Sequence, residues 1–134
     1  MSKLRGIIQH FVMHPRKLLV VDAGGAALSA FLLGVVLVRF EGFFGIPSPT
    51  LYLLAAVPCG FVVWDVVFAS AHRNKALGLR GIALLNSAYC LLSLGLMVTH
   101  LEVVTIWGWA YVLGELGLVL GLAWLEWQVA AQLR

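Results

Sequence analysis

Four apolar stretches, each about twenty residues long and joined by short connections, restrict this chain to one kind of solvent. They cover about residues 18–38, 50–70, 81–100 and 106–128. An α-helix rises about 1.5 Å per residue, so each stretch is long enough to cross about 30 Å of hydrocarbon. In lipid a chain must satisfy its own backbone hydrogen bonds, which makes helices the economical choice. Charge content agrees. Only 11% of the 134 residues are charged and 62% are hydrophobic, whereas soluble domains carry about 25% charged residues. A fold with so few charges has too little polar surface to face water. The expected architecture is all-α, a single domain formed by a four-helix transmembrane bundle with antiparallel neighbours.

A short amphipathic helix over about residues 3–14 is expected to precede the bundle. Leu4, Ile7, Ile8, Phe11 and Val12 share an apolar face, and Lys3, Arg5 and His10 supply a basic one. That pattern suits a helix lying on anionic headgroups. Pro15 ends it, and Arg16 and Lys17 mark the membrane boundary. The segment does not read as a cleaved signal, because the apolar stretch after it is too long and lacks a cleavage site.

Basic residues set the orientation. Lys3, Arg5, Arg16 and Lys17 precede the first span, Arg73, Lys75 and Arg80 lie between the second and third, and Arg134 ends the chain. Arg39 alone falls on the opposite side. By the positive-inside rule both termini are expected in the cytoplasm. Trp107, Trp109 and Tyr111 at one end of the fourth span, with Trp124 and Trp127 at the other, form aromatic belts. Pro58 predicts a kink in the second span. Gly114, Gly117 and Gly121 are expected to form a groove for close helix packing.

Polar residues inside the spans are the candidates for function. On the third span Asn86, Tyr89, Cys90, Ser93, Met97 and His100 recur at helical spacing and share one face. Lipid cannot satisfy such a stripe, so it must face other helices or a cavity. Asp22, Asp65 and Asn86 each lie about five residues inside the same boundary, and Glu126 approaches it from the fourth span. Four helices therefore bring a polar group to one layer. Arg16, Lys17, His72 and Arg80 are near enough in sequence to neutralise it. The layer reads either as a cation, proton or headgroup site, or as a charge-paired clasp that fixes helix register.

Glu115 falls near the middle of the fourth span. A carboxyl group there is protonated or has a donor, and Tyr89, Ser93 and Asn86 are the candidate partners. It reads as a proton-coupled or ligand-anchoring group, or as a neutral bridge between helices. On the opposite side Arg39, Glu41, His100 and Glu102, with Thr99, are candidates for an outer polar cluster.

Other chemistries lack their residues. Cys59 and Cys90 lie within spans and outside any CxxC pair, which suits packing rather than a disulfide or zinc site. No metal or other cofactor is expected, and no histidine pair faces across the bundle as haem would require. HExxH, GxSxG and phosphate-cradling glycine motifs are missing. The basic residues are all used in orientation, leaving nothing for nucleic acid.

Asp22–Leu37 (DAGGAALSAFLLGVVL), Phe43–Pro47 (FFGIP) and Asn86–Gly95 (NSAYCLLSLG) resemble an uncharacterised family of small bacterial four-transmembrane-helix proteins of Bacteroidota type. The resemblance extends from about His14 to Ala130 and implies a multi-pass protein of the bacterial inner membrane. It carries no activity. Small multidrug-resistance transporters place a membrane-embedded Glu in their first helix, where this chain has Asp22 near the end of the span. Fluoride channels and DoxX-like proteins share the span count without these motifs.

The expected function is that of a non-catalytic membrane module for binding or assembly. Its partners would be the bilayer and either copies of itself or other membrane subunits. The alternatives are a small transporter or channel working through its embedded carboxyl groups and, more weakly, an enzyme acting on lipids or quinones.

Overall fold

A computed structural model describes residues 2–70 and 75–133. Six helices account for nearly all of them: α1 (Ser2–Met13), α2 (Pro15–Arg39), α3 (Glu41–Phe44), α4 (Ser48–Ser70), α5 (Lys75–Thr99) and α6 (Ile106–Gln132). The four long ones are each apolar enough to cross a membrane, and the chain is a multi-pass, all-α membrane protein. Three of the expected spans sit inside these helices, the one over 81–100 runs one residue past the end of α5, and the helices otherwise extend beyond the spans by a few residues. The extensions carry basic or interfacial residues, which a hydrophobicity criterion leaves out.

Cross-helix pairs give the topology. Gly34 of α2 lies against Ala55 of α4, and Asp22 lies against Asp65. Between α4 and α5, Phe61 meets Tyr89, Trp64 meets Gly81 and Phe68 meets Gly78. Between α5 and α6, Tyr89 bonds Glu115 and Asn86 bonds Glu126. In every pair one residue number rises as the other falls, so each helix runs antiparallel to its neighbour. The α2–α4 and α5–α6 pairs pack most extensively. Contacts between α2 and α6 are sparse, and this seam bounds the site described below.

The core is formed by Leu18, Leu19, Leu33, Leu37, Leu51, Leu54, Leu79, Ile82, Met97 and Val112, all buried. Outward-facing Val20, Phe31, Val63, Leu84, Leu91 and Leu118 are exposed. That inversion is what lipid as solvent permits, since leucine loses nothing by facing acyl chains. On α1, Ile8, Phe11 and Val12 pack partly against the core, while Leu4 and Ile7 remain exposed.

Two glycines fix the turn opposite the chain termini. Gly45 has φ +75°, and any Cβ there would strike the backbone of Val103 and Thr105. Gly108 brings α6 against the carbonyl of Phe44. Thr105 caps α6 by accepting from the Gly108 amide at 3.3 Å, and its hydroxyl donates to the Phe43 carbonyl at 2.6 Å. Glu41 accepts from the Ser48 amide at 2.7 Å, which places a carboxylate at the positive end of α4. Phe43 stacks on Trp107 at 5.4 Å.

Two departures from regular helix occur beside the site. Residues Leu32–Val36 form a π-helical turn inside α2, with the Leu37 amide donating to the Leu32 carbonyl. Such turns insert a residue and re-aim the side chains around them. Pro58 lies within α4, is buried, and leaves the Leu54 carbonyl without its usual helical donor. Among the described residues both cysteines are free thiols.

Candidate functional site: an acid-lined cavity within the bundle

A cavity of ≈ 610 Å³ lies where α2 and α6 fail to close. Its walls come from all four long helices and are mainly apolar, including Leu32, Pro58, Phe61 and Leu122. Exposed Leu28 and Leu118 stand at its edge, so it opens sideways toward lipid. Gly25 of α2 and Gly114 of α6 form part of the lining, and a Cβ on either would meet nothing within 4 Å. The small residues of these two helices thus create space rather than contact.

Two groups of polar residues meet this space. The first is Glu115, only 9% exposed although it lines the cavity. Tyr89 donates to its Oε1 at 2.8 Å from α5, and Tyr111 donates to its Oε2 at 3.1 Å from one turn earlier on α6. Ser29 of α2 lies close to the same carboxyl. Phe61 sets its ring edge-on to Tyr89 at 6.0 Å. The result is a carboxyl group braced at both oxygens by two tyrosines, one of which packs against Phe61.

The second group lies at the end of the bundle that carries the termini. Asn86 Nδ2 donates to Asp22 Oδ1 at 3.0 Å and to Glu126 Oε1 at 3.1 Å. The carboxyls of Asp65 and Glu126 both reach the carboxyl of Asp22. Asp22 is 3% exposed, and Asp65 and Glu126 are fully buried. Asp22 Oδ2, Glu126 Oε2 and both Asp65 oxygens have no hydrogen-bond donor. Asp22 and Asn86 also line the cavity, so part of this cluster and Glu115 face the same space. Along α6, Glu115 and Glu126 are separated by roughly 16 Å of helix rise. Among the described residues, no three His, Cys, Asp or Glu side chains converge closely enough to hold a metal ion.

Known protein families, characterised proteins and solved structures were compared with this chain, and none of them matches it.

The layer expected from sequence is assembled as such: Asp22, Asp65, Asn86 and Glu126 converge from four different helices. Of the basic residues expected to neutralise it, the described Arg16, Lys17 and Arg80 do not enter it. Arg16 and Lys17 are exposed, Arg80 is exposed with its guanidinium 5.8 Å from the centre of the Trp127 ring, and His72 lies outside the described residues. Long basic side chains at helix ends extend toward water and headgroups, which costs less than following a carboxyl into the bundle.

Of the partners expected for Glu115, Tyr89 is present, whereas Asn86 is committed to the other cluster and the buried Ser93 hydroxyl makes no hydrogen bond to Glu115. Tyr111 is the partner that sequence reasoning missed. It reads as a belt residue, although its spacing of four from Glu115 places both on one helix face. Of the outer candidates, Glu41 caps α4, and His100 Nδ1 contacts the Leu96 carbonyl and the Thr99 hydroxyl within its own helix end. Arg39 and Glu102 are exposed, and no hydrogen bond among the described residues joins the four.

Proposed function

We propose that the protein is a ligand-binding module of the bacterial inner membrane, with both termini in the cytoplasm. Its ligand is an amphiphile whose cationic or hydrogen-bonding head meets Glu115 while its apolar body fills the cavity. One observation carries this reading: a buried carboxyl, braced by Tyr89 and Tyr111, in the wall of a ≈ 610 Å³ apolar cavity that opens to lipid. Binding pockets for drug-sized molecules have this character, mostly apolar with a few convergent polar groups, at about 300–1,000 Å³. The rings of Phe61, Tyr89 and Tyr111 add favourable faces and edges for a cation. Glu115 accepts either a proton or a cation, and the two exclude one another.

The test uses tetraphenylphosphonium, a lipophilic monocation, with protein in mild detergent and binding read by equilibrium dialysis. Saturable binding is expected, weakened at least tenfold in Glu115→Gln and unchanged in Glu41→Gln. Equal binding by wild type and Glu115→Gln would remove Glu115 from the ligand site.

An assembly role is favoured by a separate observation. Gly117 and Gly121 are exposed, and a Cβ at either would meet nothing within 4 Å, so this face of α6 is available to a partner helix. Native mass spectrometry of gently extracted protein addresses it. An oligomer that Gly117→Leu dissociates is expected on this reading, and a monomer unaffected by the substitution argues against it.

A further inference from the structure

The cavity takes nothing from α1, and α1 carries a concave surface of its own. Lys3, Gly6, Ile7, His10 and Phe11 line a shallow groove on this helix. Lys3 stands three residues before Gly6 and His10 four residues after it, so all three lie along one helix face. Lys3 and His10 are exposed, and a Cβ on Gly6 would meet nothing within 4 Å. Glycine is a poor helix former. Here it leaves the floor of the groove open between two nitrogen donors.

The bundle fixes which way this groove points. Ile8, Phe11 and Val12 pack against the core, and α1 contacts both α6 and α2. The apolar face expected from sequence is therefore divided. One part is used against protein, while Leu4 and Ile7, 45% and 44% exposed, remain outward beside the groove. Leu4 precedes Ile7 by one turn, so the two make a continuous apolar strip next to Lys3 and His10. Charge in this part of the chain has one sign. The first acidic residue is Asp22, buried in the bundle, whereas Lys3, Arg5, Arg16 and Lys17 precede it and are exposed.

A partner for this surface is anionic in one part and apolar in another, and it is met at the end of a membrane bundle. We propose that the α1 groove binds one anionic phospholipid, with its phosphate over Gly6 between Lys3 and His10 and an acyl chain along Leu4 and Ile7. Lys3 supplies an ammonium and His10 a ring N–H, which either tautomer carries, and both donate to phosphate oxygens. A side chain at position 6 would hold the phosphate away from both donors. A basic helix is drawn to any anionic surface by its total charge, whereas a groove distinguishes its cations by position. Arg5 and Arg16 are exposed but outside the lining. The site lies on α1, and the proposal stands whichever ligand the cavity holds.

Native mass spectrometry tests it on the full chain in mild detergent, titrated with dioleoyl phosphatidylglycerol or dioleoyl phosphatidylcholine and reading the first lipid bound. One basic side chain near an anionic headgroup accounts for about fivefold in binding, so the wild type should prefer phosphatidylglycerol by at least that factor and Lys3→Gln should lose most of the preference. Gly6→Leu retains every charge and should lose it as well. Arg16→Gln removes the same unit charge from outside the groove, where salt screens it, and should change the preference by less than about twofold. Equal affinity of the wild type for the two lipids would overturn the proposal. So would an undiminished preference in Gly6→Leu, or equal losses in Lys3→Gln and Arg16→Gln, which mark general attraction to charge. Lys3 and Arg16 are exposed, so their comparison leaves the core intact and decides the matter even if Gly6→Leu disturbs α1.

Discussion

Asn86→Leu is the substitution that asks most of this structure. The side chain is 4% exposed, and its Nδ2 donates both to Asp22 of α2 and to Glu126 of α6. Leucine has the same branching and heavy-atom count and a larger volume, so the change removes two hydrogen bonds without opening a cavity, and any crowding adds to the cost. A hydrogen bond to an ionised group contributes about 1.5–3 kcal/mol, and a buried acceptor left alone costs about 1–3 kcal/mol. Those values come from proteins in water. Interhelical bonds in membranes average about 0.6 kcal/mol, because polar groups find other partners in the unfolded state. Here Asp22 Oδ2, Glu126 Oε2 and both Asp65 oxygens already have no hydrogen-bond partner among the described residues, so the freed oxygens join an unsatisfied set. We therefore expect about 2–4 kcal/mol of destabilisation, above the membrane average and below the sum of two aqueous bonds. Reversible unfolding in mixed micelles, with SDS as denaturant and tryptophan fluorescence as signal, measures it. Ser87→Ala is the control, since Ser87 bonds only the Ala83 carbonyl of its own helix, and less than about 0.5 kcal/mol is expected. An Asn86→Leu cost no larger than that of the control would refute the bridging role and the cluster geometry with it.

Three further outcomes follow from the same structure. Gly45→Ala combines a left-handed φ of +75° with a Cβ aimed at the Val103 and Thr105 backbone, and should cost at least about 2 kcal/mol in the same assay. Thr105→Val removes the α6 cap and the 2.6 Å bond to Phe43, for an expected loss of about 1–2 kcal/mol. Gly25→Leu fills the cavity from its α2 wall, where a Cβ meets nothing within 4 Å, so tetraphenylphosphonium binding should fall at least tenfold while stability changes by less than about 1 kcal/mol. Retained binding in that variant would place the ligand elsewhere.

Depth was legible in the sequence and azimuth was not. Asp22, Asp65, Asn86 and Glu126 are found at one level because helix rise is constant and the span boundaries are marked by charge. Which of them touch depends on how each helix is rotated, and that follows from packing of Leu18, Leu19, Leu79 and Ile82 rather than from the polar residues themselves. Tyr111 was hidden by its position near a span end, where tyrosines ordinarily serve as interface anchors. Gly114 departs from its expected packing role for a related reason. Small residues permit close approach but do not compel it, and at Gly25 and Gly114 the helices instead stay apart. Neither the π-helical turn at Leu32–Val36 nor the seam between α2 and α6 has a local signature, since both arise from how distant helices fit.

The sideways opening of the cavity has a consequence for how affinity must be measured. A void in a protein interior costs about 24 cal/mol per Å³, so ≈ 610 Å³ of emptiness would forfeit on the order of 15 kcal/mol, as much as most domains possess. The space between Leu28 and Leu118 is open to acyl chains, which fill it at no such cost. Any ligand then arrives by evicting a lipid tail, and its dissociation constant is a ratio of two occupancies. Short-chain, long-chain and branched lipids should each give the same protein a different apparent affinity.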